Sequence, residues 1–115
     1  MIVRRASVEP IDFGGLQILD YTVGRDAGSS LAVIEVPPGG RHQEAYSQRS
    51  DKYYYIVAGQ VSFSLNGEEH DLIEGDLCVV DKGQRFSYVN RTPDAARLLL
   101  VHTPTFQLDS EVFVG

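Results

Sequence analysis

At 115 residues the chain has room for one domain, spanning 1–115, around one hydrophobic core. It is 43% hydrophobic and 23% charged, ordinary for a folded globular protein and too apolar for a disordered one. Ten basic against sixteen acidic residues leave a net charge of −6, which with no basic cluster speaks against nucleic acid or an anionic membrane as partner.

The opening MIVRRASVEP lacks the apolar core of a signal peptide, and no run is long enough to span a bilayer, so a cytoplasmic location is expected. Gly14-Gly15 and Gly28-Ser29-Ser30 read as turns without the context of a phosphate loop. Leu31 to Val36 is a β-branched, apolar strand that stops at Pro37-Pro38-Gly39-Gly40, where proline cannot donate to a ladder. His42 and Glu44 follow on the next strand with the parity of Tyr46. Lys52 to Ala58 is an aromatic strand, and Val61 to Leu65 and Glu68 to Ile73 flank Asn66-Gly67, a strong hairpin signal. Leu77 to Val80 is a further apolar strand. It contains the single Cys78, which can close no internal disulfide and reads as a small buried hydrophobe. Arg85 to Val89 and Arg97 to Val101 complete the strands, and Ser110 to Val114 reads as a short turn. The dominant period is two, nothing sustains a helical period, and the predicted architecture is an all-β sandwich or barrel.

Two motifs carry a family resemblance. The first runs Pro37-Pro38-Gly39-Gly40-Arg41, then Ala45-Tyr46-Ser47, then Arg49-Ser50-Asp51-Lys52-Tyr53-Tyr54-Tyr55-Ile56-Val57-Ala58-Gly59. The second places Gly75, Asp81, Gly83, Phe86 and Asn90 at fixed spacing without a gap. Together they resemble the two motifs of the small single-domain cupins, which implies an antiparallel jelly-roll barrel. The departures matter as much. The family's two histidines fall on Ala45 and Ser47, its glutamate on Lys52 and its last histidine on Phe86. Alanine and phenylalanine offer no ligand and lysine repels a cation, so neither a metal nor any other cofactor is expected. By strict alternation His42 and Glu44 face away from this centre, so a displaced metal site is not expected either.

The resemblance turns Lys52 inward, with Tyr54 on the same face and Phe86, Tyr88 and Asn90 on the facing strand. Lys52 and Tyr54 are the candidate acid–base pair, and Ser47, Phe86, Tyr88, Asn90 and Arg49 are candidate ligand contacts. Desolvation lowers the pKa of a buried lysine, which suits a base or a Schiff-base nucleophile. The competing reading is a barrel packed shut, with Lys52 reaching the rim. If the amine is buried without a partner, Lys52→Met stabilises the empty protein. Tyr53 and Tyr55 lie on the opposite face and suit a homodimer interface. Arg41 and Arg49 read as surface ion-pair partners of Glu44 or Asp51, and His102 as a satisfied edge histidine. Two functions follow. One is a metal-free cupin binding a small polar or anionic metabolite, of the isomerase, epimerase or cyclase type, acting on a sugar derivative, keto acid or natural-product intermediate. The other is a non-catalytic sensor or structural module that dimerises. Whether the chain is an enzyme stays open at this point.

Overall fold

The computed structural model describes residues 1–115. Eleven strands run β1 Ile11–Phe13, β2 Leu16–Asp20, β3 Ser30–Val36, β4 Arg41–Ser47, β5 Asp51–Ala58, β6 Gln60–Leu65, β7 Glu68–Ile73, β8 Leu77–Val80, β9 Phe86–Val89, β10 Ala96–Thr103 and β11 Glu111–Phe113. They form two antiparallel sheets, ordered β1-β2-β3-β10-β5-β8 and β11-β4-β9-β6-β7. The fold is the all-β jelly-roll barrel that the motifs imply. Helix is confined to two single turns, Arg5–Ser7 and Leu108–Ser110, and no helix is long and apolar enough to cross a membrane.

Alternation decides what each strand buries. In β3 every second residue from Ser30 to Val36 is buried, as is every second residue of β10 from Ala96 to His102. Register then aligns the inward residues of β3, β10 and β5 in rows: Ser30–His102–Lys52, Ala32–Leu100–Tyr54, and Ile34–Leu98–Ile56. The rows grade from polar to apolar along the barrel. At the apolar end Val36, Ile56, Val61, Ala96 and Leu98 close the barrel with 0–1% exposure. The other end is open. The choice between a filled and a hollow barrel therefore resolves as one closed end and one open end.

Two backbone positions need their residues. Asn66 and Gly67 both take positive φ, 50° and 83°, as a two-residue hairpin turn between β6 and β7 requires. Gly59 ends β5 at φ 78°, where a Cβ would lie 2.8 Å from the Ala95 carbonyl oxygen.

Three features depart from the sequence reading. The stretch 11–20, in which the sequence marks only the Gly14-Gly15 turn, forms the β1–β2 hairpin around that turn and extends the larger sheet. The Ser110–Val114 turn is mostly strand β11, paired with β4 from Glu111↔Ser47 to Phe113↔Ala45. In β4 the register against β9 slips, since His42 pairs with Tyr88 but Ala45 with Phe86, so three residues are matched by two. This β-bulge reverses parity between the halves of the strand.

Candidate active site

The open end holds a cavity of about 290 Å³. Ile18, Ile34, Leu100, Phe13, Phe106 and Phe113 contribute apolar wall, and His42, Lys52, Tyr54, Tyr88, His102 and Glu111 contribute polar groups. The parity argument for His42 fails at the β4 bulge. The extra residue turns the imidazole inward, 5.0 Å from the Phe86 ring and 5.4 Å from that of Tyr88, while Glu44 meets Arg85 at 3.8 Å.

Lys52 and His102 are cross-strand neighbours on β5 and β10, and the Lys52 ammonium donates to His102 Nε2 at 2.8 Å. It also forms a buried ion pair with Glu111, which β11 carries in from the opposite sheet. The two side chains are 3% and 8% exposed, so the pair is withdrawn from water. Burial lowers the Lys52 pKa and the Glu111 charge works in the opposite direction. His102 is pushed down to about 3 by burial, reinforced by the Lys52 charge, and is a neutral acceptor.

His42 is also neutral. Burial lowers its pKa, opposed by its hydrogen bond to the Gln43 carbonyl. Its Nδ1 lies 2.7 Å from that oxygen, which can only accept, so Nδ1 carries the hydrogen and Nε2 keeps a free lone pair. Tyr54 packs against Phe63, Phe86 and Tyr88 at 5.2–5.7 Å between ring centroids. Burial raises the pKa of both Tyr54 and Tyr88, so both phenols stay protonated. The Tyr88 hydroxyl is buried with no hydrogen-bond partner, although Tyr88 is among the residues that line the cavity. A buried donor without an acceptor costs about 1–3 kcal/mol, which a ligand oxygen would recover.

The other candidate contacts lie elsewhere. Ser47 Oγ accepts from Arg49 N and Ser50 N at 3.2 and 2.9 Å and closes the β4–β5 turn. Asn90 donates to Val36 O and Asp94 O and accepts from Thr92, pinning the β9–β10 connection. Arg49 holds the C-terminal segment through Thr105, with Asp26 at 3.5 Å rather than Asp51. Phe86 lies in the core beneath Lys52, its centroid 5.2 Å from Nζ. Cys78 is half-buried, and burial pushes its thiol pKa up, as suits a hydrophobe. Thus Lys52, Tyr54 and Tyr88 meet at the cavity, joined by His42, His102 and Glu111. Only one signal for Glu111 existed in the sequence: a buried lysine demands an acidic partner.

The donor set does not suit a divalent metal. Lys52 Nζ contacts both His102 and Glu111, whose nearest atoms are 4.0 Å apart, so an ammonium fills the space a cation would need. Ala45 and Phe86 supply no ligand, and no group of three or more His, Cys, Asp or Glu converges.

The neutral histidines set an acid limit on stability. Below about pH 6.5 the unfolded chain takes up protons that folded His102 and His42 refuse. Their contribution is therefore complete above 6.5 and is lost as pH falls towards 3, the folded value of His102. The loss is up to about 1.4 kcal/mol per pH unit for each group. His102→Asn should flatten this limb in a series of melts against pH. An unchanged slope would mean that His102 charges freely in the folded protein.

Comparison with known proteins places this geometry. The family described as Cupin domain matches residues 32–102. The tetracenomycin polyketide synthase protein TcmJ of Streptomyces glaucescens is 36% identical over 83 residues, 72% of this chain and 55% of TcmJ. The HTH-type transcriptional regulator PuuR of Escherichia coli is 24% identical over 68 residues, 59% of this chain and 37% of PuuR. The chain thus spans about half or less of the curated relatives it matches. Among solved structures, the Streptomyces nucleoside dehydratase PAC13 superposes with a TM-score of 0.86 at 25% identity, covering 99% of this chain and 90% of PAC13. A histidine-to-glutamine variant of PAC13 with uridine gives a TM-score of 0.87.

Proposed function

The chain belongs to the cupin family, and we propose that within it this barrel is a metal-independent acid–base enzyme acting on a small ring-bearing molecule. One observation carries the reading: His42, a neutral imidazole with a free Nε2 lone pair, and Tyr88, whose buried hydroxyl has no partner, both line the same apolar cavity. The two rings are 5.4 Å apart, close enough for one substrate to meet both.

In this reading His42 Nε2 takes a proton from a carbon beside a carbonyl. Tyr88 donates a hydrogen bond to the oxygen that gains charge, supported by the Lys52 ammonium. The imidazolium then returns its proton. Delivered to a β-hydroxyl, it releases water and completes a dehydration; delivered to a different carbon, it completes an isomerisation. Glu111 and His102 hold the Lys52 ammonium in place. Tyr54, protonated, belongs to the wall. The relatives supply the substrate range, since PAC13 is a nucleoside dehydratase and TcmJ a polyketide synthase protein. Nucleosides and polyketide-type ring ketones are the classes proposed.

The test is solvent exchange. Ring ketones, keto-sugars and oxidised nucleosides are incubated with the protein in deuterium oxide and weighed by mass spectrometry. Uptake of one carbon-bound deuterium, fast with the native protein and slower with Tyr88→Phe, is the expected result. Tyr88→Phe should also melt no lower than the native protein, because it removes an unsatisfied donor. No exchange, and no ligand-induced rise in melting temperature, would favour the sensor reading instead.

A further inference from the structure

The cavity continues past the catalytic end of the barrel. A second chamber of about 340 Å³ adjoins it, with Ile11, Asp20, Ser30, Phe106 and Leu108 shared by both walls. The two differ in character. The inner chamber is walled mostly by apolar and aromatic side chains, Tyr88 among them. The outer one is walled by loop residues Thr22 to Asp26 and the segment Thr105 to Leu108, and has the larger share of polar residues in its lining.

Asp20 stands at the junction. It ends β2 and its Oδ1 accepts from Thr22 N at 3.0 Å and from Thr22 Oγ1 at 3.4 Å, which fixes the carboxylate. Its Oδ2 accepts from no protein donor, and no cation pairs with it. A fixed, acceptor-only carboxylate with a free oxygen suits hydroxyl donors, above all a pair of neighbouring hydroxyls. Ser30 Oγ, at the same junction, accepts from Phe106 N at 2.9 Å.

We propose that the substrate is a two-part molecule: a flat, largely apolar ring in the inner chamber and a hydroxyl-bearing, glycosyl-like group in the outer one, recognised by Asp20. The proposal rests on the acid–base reading of the inner chamber and adds the second half of the substrate. Tyr88 and His42 address the ring end, while Asp20 supplies the discrimination at the other end.

Two probes of this shape, uridine and phenyl β-D-glucopyranoside, test it by calorimetry, with 2′,3′-dideoxyuridine as the partner of uridine lacking the diol. Uridine should bind the native protein about tenfold or more tightly than the dideoxy compound, as loss of a charged hydrogen bond implies. Asp20→Asn keeps the Oδ1 contact to Thr22 and replaces the free acceptor by a donor. It should weaken uridine by a similar factor, leave the dideoxy compound unchanged, and so abolish the preference. Equal binding of the two nucleosides to the native protein overturns the proposal. Equal weakening of both by Asp20→Asn also overturns it, since Asp20 would then only hold the loop. If neither two-part probe binds, the outer chamber is no glycosyl site. The acid–base reading would survive that result, because it is judged separately by deuterium exchange into simple ring ketones.

Discussion

Lys52→Met is expected to destabilise the ligand-free protein by about 3–5 kcal/mol, the usual cost of removing one partner from a buried ion pair. For a domain of this size that lowers the melting temperature by roughly 10–20 °C. The sequence alone suggested the opposite sign, because a buried amine without a partner is better replaced by an apolar stem. The structure supplies the partner: Glu111, 8% exposed, would be left as an uncompensated carboxylate. The double variant Lys52→Met/Glu111→Gln removes both charges and should recover most of the loss, so that the two single losses are strongly non-additive in a double-mutant cycle. Denaturant melts of the four proteins measure it. Additive losses would mean that the two side chains do not interact in solution.

His42→Gln should lower deuterium exchange or turnover by about 10²–10⁴-fold, the range of a general base, with little change in stability. The pH profile carries the sharper test. A base works in its unprotonated form, so the rate rises with pH as the imidazole loses its proton. Burial lowers the His42 pKa below 6.5, so the rate should reach its plateau before the ordinary histidine range is passed. An acid limb centred at or above 6.5 would assign the base to another group. A limb that persists unchanged in His42→Gln would do the same.

The C-terminal segment and the N-terminal hairpin explain why this site differs from a barrel with bare ends. Phe13 of β1 and Phe113 of β11 meet at 5.8 Å and both flank His42, at 5.6 and 6.2 Å. These rings, with Phe106, shield the imidazole and the Lys52–Glu111 pair from water. That shielding lowers the His42 pKa and strengthens every charge interaction inside.

Local pattern was sufficient for the central strands, though not for β1, β2 and β11 or for the face that His42 presents. The alternation of Leu31–Val36 and Lys52–Ala58, the Asn66-Gly67 turn and the proline–glycine stops are short-range sterics, and steric rules hold wherever the segment sits. Alternation put Tyr54 on the face of Lys52 and Tyr88 on that of Phe86, the cupin resemblance turned those faces inward, and the residue types at 45, 47, 52 and 86 already spoke against a metal. Tertiary structure decided the rest. One extra residue in β4 put His42 on the inner face, because a bulge depends on how β4 pairs with β9 and leaves no mark in a period-two pattern. Glu111 reaches Lys52 across fifty-nine residues of chain, from a three-residue strand too short to announce itself. Asn90, Ser47 and Arg49 are polar residues whose hydrogen-bonding capacity is spent on turns and the C-terminal segment. Residue type sets that capacity, but only the folded chain determines whether backbone or ligand uses it.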